Sequence, residues 1–272
     1  MPAFICVTCG TQFDDRPAPP ENCPICADER QYVHWDGQQW TTLERLRRTH
    51  LNVWKHKEEG LWGVGTNPEF GIGQRALLVR GRHGNVLWDC VALIDNATHD
   101  IVEALGGLSA IAISHPHYYT TMVEWSRTFG DVPIYLHADD RQWIMRPDSN
   151  IRHWDGETHE LQPGMTLLRC GGHFAGGTVL HWTDGAKGRG ALLAGDIIQV
   201  VFDRRHVSFM RSYPNFIPLS AKAVRTITNV VGPYSFERLY GAWWRRNVRS
   251  DAAAAVRRSA ERYIAALEED GS

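Results

Sequence analysis

Residues 110–126 read AIAISHPHYYTTMVEWS. An apolar run from Ile111 to Ile113 stops at Ser114 and is followed by His115 and His117, one residue apart. A short apolar run bounded by polar residues reads as a buried strand. Paired histidines at its end read as metal ligands delivered from a strand terminus, where side chains are free to converge. Tyr118, Tyr119, Thr120 and Thr121 come next, in place of the acid and third histidine that a two-metal site requires. MVEWSRTFG then reads as a helix ending at Gly130.

Polar residues at the ends of apolar runs recur downstream. His173 sits in RCGGHFAGGT, where glycines bend the chain after a strand, and Asp196 ends ALLAGD. Three histidines and one carboxylate suit zinc or divalent iron. His137 closes the strand VPIYLH and is a lesser candidate for the same cleft. The loop DRRHVSFMRSYPN concentrates Arg204, Arg205 and Arg211 after the Asp196 strand, and arginine offers paired donors to an anionic group.

The N-terminus carries a second constellation. CVTCG and CPIC supply Cys6, Cys9, Cys23 and Cys26, with Gly10 and Pro24 as turn residues. The segment between them, TQFDDRPAPPEN, is too polar to build a core, so a tetrahedral four-cysteine ion takes the place of burial. Residues 1–35 are therefore expected to form a metal-binding module. Zinc in a structural role is the expectation; the pattern also resembles rubredoxin, with a far shorter spacer. Residues 36–59, containing TTLERLRRTHLNVWKHKEEG, read as a helical linker starting at Thr41 or Thr42.

From residue 60 the pattern is strand-rich. ALLVRG and GNVLWDC flank a hairpin turn, DIVEALGGL reads as a helix, and DDRQWIM reads as a short helix capped by Asp139. MTLLRC, GTVLHW and ALLAGDIIQVV are further strands. SAKAVRTITNVVG and SDAAAAVRRSAERYIAALEED are helices, the second capped by Ser250 or Asp251.

SHPHYYT, GGHFAGGT and LAGD together resemble the metallo-β-lactamase superfamily. Its hallmark is H-x-H-x-D-H at a strand end, a histidine in a glycine-rich turn, an aspartate in a G-D turn, and a last histidine near the C-terminus. The resemblance implies an α/β (α+β) chain, an αββα metallo-β-lactamase-type sandwich over 60–272 preceded by the small zinc-ribbon-like module. It also implies a metal site in a cleft between two sheets. The departures are specific. The family's aspartate position holds Tyr119, its next histidine position holds Thr120, and no histidine follows His206. The positions that hold a second metal are thus absent, while His115, His117, His173 and Asp196 remain.

The expectation is a single ion, zinc or iron, in a hydrolase acting on an ester, thioester or lactone-type bond. Asp196 would complete the ligand set or orient a water, and Tyr119 would donate to a developing oxyanion. Tyr118, Trp243 and Arg204 would contact a small-molecule substrate. Two rival readings are a persulfide-dioxygenase-like iron oxygenase, with His115, His173 and Asp196 as its triad, and a non-catalytic metal-binding scaffold.

Charge and composition narrow the remaining classes. The net charge of −2 argues against bulk nucleic-acid or anionic-membrane binding. No run approaches the ~18 apolar residues of a membrane span. The start lacks the basic and apolar regions of a signal peptide, and C-x-x-C pairs suit a reducing compartment, so a cytoplasmic location is expected. Cys90 and Cys170 read as buried small hydrophobes. The long C-terminal helix and 11 tryptophans leave room for a homodimer.

Overall fold

The computed structural model describes residues 1–268 and divides into two compact units, Met1–Trp154 and a second starting at Asp155. In the first unit, β1 (Ala3–Cys6), β2 (Gln12–Asp15) and β3 (Trp40–Thr42) form an antiparallel sheet in the order β2-β1-β3. Between β2 and β3 lies α1 (Pro24–Ala27), with proline in its first turn, where a missing N–H costs nothing. The cysteine module therefore draws its third strand from beyond residue 35.

The expected helical linker is half right. Thr42 caps α2 (Leu43–Thr49) by accepting from the Arg45 N–H. Leu51–Glu58 is instead a strand, β4, which pairs antiparallel with β5 (Leu61–Asn67). It lies at the edge of its sheet and carries Lys55 and Lys57, both partly or fully exposed. Charged edge strands resist further pairing, and that charge gives the segment its helix-like mixture of basic and apolar residues.

The seven-stranded sheet continues with β6 (Arg75–Val79), β7 (Val86–Trp88), β8 (Ala110–Ala112), β9 (Ile134–His137) and β10 (Ile151–Trp154), in the order β10-β9-β8-β7-β6-β5-β4. Strands β4 to β7 form an antiparallel meander, and β7 to β10 run parallel. Parallel neighbours need crossovers. α3 (Asn96–Ala104) links β7 to β8, and a single-turn helix, Pro116–Tyr118, followed by α4 (Met122–Thr128) links β8 to β9. The carboxyl ends of β7, β8 and β9 lie side by side in mid-sheet, the place where open α/β sheets put their ligands. The short helix after β9 spans Ala138–Trp143, and its cap is His137, whose Nδ1 accepts from the Asp139 N–H, not Asp139 itself.

The second unit holds a six-stranded sheet built on β11 (Thr158–Gln162), β12 (Met165–Arg169), β13 (Thr178–Trp182) and β14 (Ala191–Gly195). Two ribbons follow, β15 (Gln199–Val200) with β16 (Val207–Ser208) and β17 (Met210–Ser212) with β18 (Ile217–Pro218). β19 (Arg238–Gly241) then joins β14 in parallel, and β20 (Asn247–Val248) closes the edge. Helices Ala221–Val231 and Ala252–Glu268 bury Val224, Ile227, Val256 and Ala260 in a core with Leu168, Val179, Leu192 and Leu239 of the sheet. The first is capped by Ser220, whose side chain accepts from the Ala223 N–H. Glu269 and Asp270, read as the end of the second, lie outside the described residues. Among the described residues no helix is long and apolar enough to cross a membrane.

Candidate metal centres

Cys6, Cys9, Cys23 and Cys26 are all buried, and among the described residues no cysteine is in a disulfide. Their ligand atoms lie within 4.8 Å of one another, with Cys6 and Cys26 sulfurs 3.6 Å apart and Cys9 and Cys23 sulfurs 3.7 Å apart. A tetrahedral ion with metal–sulfur bonds of about 2.3 Å sets its sulfurs roughly 3.8 Å apart. The set fits such an ion. Gly10, at φ +82°, makes the turn after the first knuckle. Gln38 braces the cluster, donating from Nε2 to Cys6 Sγ at 3.1 Å and accepting from the Cys23 N–H at 3.2 Å. Hydrogen bonds from Cys23 and Cys26 hold Cys6 well below the usual thiol range, whereas those with Cys23 push Cys9 and Cys26 up. Cys90 and Cys170 are buried and pushed up by desolvation, as expected of packing residues.

His115 and His117 follow β8 and are buried, their ring centroids 5.1 Å apart. Asp89, one residue past β7, accepts from both the Ser114 N–H at 2.8 Å and the Ser114 hydroxyl at 2.7 Å. The Ser114 hydroxyl in turn lies 3.0 Å from His115 Nδ1. Since that hydroxyl spends its proton on Asp89, it accepts from Nδ1–H, which assigns the proton of a neutral His115 ring to Nδ1. Burial pushes the Asp89 carboxyl up to about 7 despite these two bonds. Asp89 and Ser114 escaped the sequence reading, although Asp89 ends an apolar run just as Asp196 does.

Tyr118 is fully buried, its ring 4.4 Å from that of His115. Tyr119 is also buried, and desolvation together with the charge of Asp140 raises its phenol well above the usual range. Thr120 occupies left-handed backbone at φ +37°, a costly conformation for a β-branched residue. Its buried hydroxyl has no hydrogen-bond partner. The next hydroxyl, Thr121, donates to the carbonyls of Ala92 at 3.0 Å and Val91 at 3.3 Å. His137, capping its short helix, packs edge-on against Trp154 at 4.5 Å.

In the second unit, Gly171 and Gly172 adopt φ +66° and +80° and turn the chain into His173. A Cβ on Gly172 would meet Leu219 and Ile227 at 3.0 Å, so side-chain packing as well as conformation requires glycine. His173 is buried, and its Nδ1 donates to the Met210 carbonyl at 3.2 Å, which fixes the ring's orientation. Asp196 is buried after β14, and Tyr213 donates to its backbone carbonyl at 2.6 Å. The Tyr213 ring lies 5.8 Å from that of His173, and burial and the Asp196 charge push its phenol up. Tyr213 also escaped the sequence reading. Arg204 is exposed at φ +57° and lines a cavity of about 430 Å³ with Arg205, Arg245, Arg249 and Arg258. Trp243, just past β19, is half-buried, and Trp244 is the tryptophan that shares a hollow with Arg204.

His115 and His117 are buried in the first unit, and His173 and Asp196 are buried in the second.

No protein-family model matches the chain. A crystal structure of VMB-1 superimposes with a TM-score of 0.60 at 12% identity, over 79% of this chain and 98% of that one. The DIM-1 metallo-β-lactamase gives 0.58 at 14% identity, over 81% and 98%. The metallo-β-lactamase FIM-1 from Pseudomonas aeruginosa, in its mono-zinc form, gives 0.57 at 16%, over 78% and 95%. These likenesses show the fold, which is that of the metallo-β-lactamases. A relative in Bacillus subtilis (strain 168), the uncharacterized protein YmaE, is 52% identical over 269 residues, 98% of this chain and 97% of its own. The chain therefore belongs to the same family as YmaE and carries the metallo-β-lactamase fold with an added four-cysteine cluster.

Proposed function

We propose that the protein is a mononuclear metal-dependent hydrolase of an ester, thioester or lactone-type bond, with zinc held by His115, His117 and His173. The observation that carries this reading is the buried pair His115 and His117 at the end of β8, with His115 oriented by Asp89 and Ser114; a third buried imidazole, His173, sits in its glycine turn. Three neutral imidazoles plus one open position make a catalytic zinc arrangement. The mono-zinc form of FIM-1 supports a single ion on this fold. When bound, such an ion supplies a Lewis acid and lowers the pKa of a water ligand. The closed four-cysteine set suits a second, structural zinc.

The chain's own residues do the rest. The Asp89–Ser114 pair orients His115, and the Met210 carbonyl orients His173. Asp196 would orient the attacking water. Tyr119, kept protonated by its surroundings, would donate to the oxyanion, and Tyr118, Trp243 and Arg204 would contact substrate. Elemental analysis of the purified protein should give two zinc ions per chain. His115→Ala and His173→Ala should each remove one zinc and all hydrolysis of an ester, thioester and lactone panel. A fully zinc-loaded protein that hydrolyses none of the panel would overturn the reading.

A further inference from the structure

A continuous set of contacts links the cysteine knuckle to the histidine loop. The backbone N–H of Gln12 donates to the carbonyl of Thr120 at 3.0 Å, three residues past His117. The Gln12 side chain donates to Glu124 of α4 at 3.2 Å and accepts from Arg146. Arg146, itself buried, pairs with the same Glu124 carboxylate at 2.5 Å. Trp143 and Met145, just before Arg146, pack on the cysteine cluster. A Cβ on Gly10 would lie 3.4 Å from Thr120 Cγ2, and one on Gly71 would lie 3.3 Å from the Cys9 backbone.

From Thr120 the path runs back to the ligands. Met122 N–H donates to the Tyr119 carbonyl, Tyr119 N–H to that of Pro116, and Tyr118 N–H to that of His115. Thr120 sits in left-handed backbone that a free loop would abandon, and the bond from Gln12 holds it there.

We propose that the cysteine knuckle is a clamp that sets the His115–His117 loop, with Gln12 and Arg146 as positioning residues. Filling the cysteine site thereby tightens metal binding at the histidines, and by linkage the reverse also holds. The inference rests on reading His115, His117 and His173 as one metal site.

Cobalt(II) on the full-length protein tests it, because thiolate-to-cobalt charge-transfer bands report the cysteine site and weaker ligand-field bands the histidine site. Arg146→Met keeps the apolar stem and removes the guanidinium. With the cysteine bands unchanged, it should weaken cobalt binding at the histidines at least tenfold. Amide hydrogen exchange over residues 118–124 should speed up by a similar factor, and Arg146→Lys should recover part of both losses. Gln12→Pro, which deletes the N–H donated to Thr120, should act in the same direction. Unchanged histidine affinity and unchanged exchange in Arg146→Met would overturn the clamp. Equal weakening of both cobalt sites would overturn it too, since that marks general loosening. If wild-type protein takes no cobalt at the histidines, the hydrolase reading fails, and the exchange rates over 118–124 still decide the clamp.

Discussion

Thr120 and Thr121 are adjacent, both buried, and in opposite hydrogen-bonding states. The Thr120 hydroxyl has no partner, and a buried unsatisfied hydroxyl costs about 1–3 kcal/mol. Valine has nearly the same shape and keeps the methyl that faces Gly10. Thr120→Val should therefore stabilise the protein by about 1–2 kcal/mol. Thr121→Val should destabilise it by about 1–3 kcal/mol, because the carbonyls of Val91 and Ala92 lose their donor. Thr120→Ser keeps the orphan hydroxyl and loses the methyl, which adds a cost of about 1 kcal/mol. Urea unfolding followed by tryptophan fluorescence reads all three, provided the slope stays constant and the metal content is matched. At 2–4 °C per kcal/mol for a chain of this size, thermal melts should separate the two valine variants by roughly 5 °C or more. A Thr120→Val variant less stable than wild type by ~1 kcal/mol or more would show that the hydroxyl is bonded and refute the reasoning.

Three further outcomes are expected. Burial raises Asp89 from 3.8 to about 7, so its contribution to stability is complete below pH 4 and is lost as pH rises through 7. In metal-free protein that loss approaches roughly 4 kcal/mol, and Asp89→Asn should flatten the stability profile between pH 4 and 7; an unchanged slope would remove the carboxyl as its source. Phe209→Ala, at a fully buried position packed edge-on against Tyr263, should cost about 3–5 kcal/mol in a thermal melt. Gly10→Ala, which forces a left-handed turn on a side chain facing Thr120, should cost about 1–2 kcal/mol in urea unfolding while the cysteine-site metal stays bound.

Much of the ligand chemistry could be read from the sequence, because strand termini and glycine turns are local signals. AIAIS followed by HPH, and RCGGH, each put a histidine at the end of an apolar run, and all three histidines are buried there. The paired C-x-x-C spacing likewise predicted a four-sulfur cluster. Edge strands were harder. β4 has a free flank, so its residues do not alternate cleanly between apolar and polar, and it reads as helix. Partners far apart in sequence left no local trace. Nothing in WDC pairs Asp89 with Ser114, and nothing in TQFDD announces that Gln12 holds Thr120 and Arg146.

The bond between Gln12 and Arg146 spans 134 residues and bears on biosynthesis. At about 5–20 residues per second, the knuckle leaves the ribosome roughly 7–27 s before the segment that braces it. Throughout that interval its four thiols depend on a captured ion, not on a protein surface, for protection. Contacts of such long sequence separation also close late and slowly. Metal supply during synthesis should therefore govern how much chain reaches the native state, even where the finished protein keeps its ion.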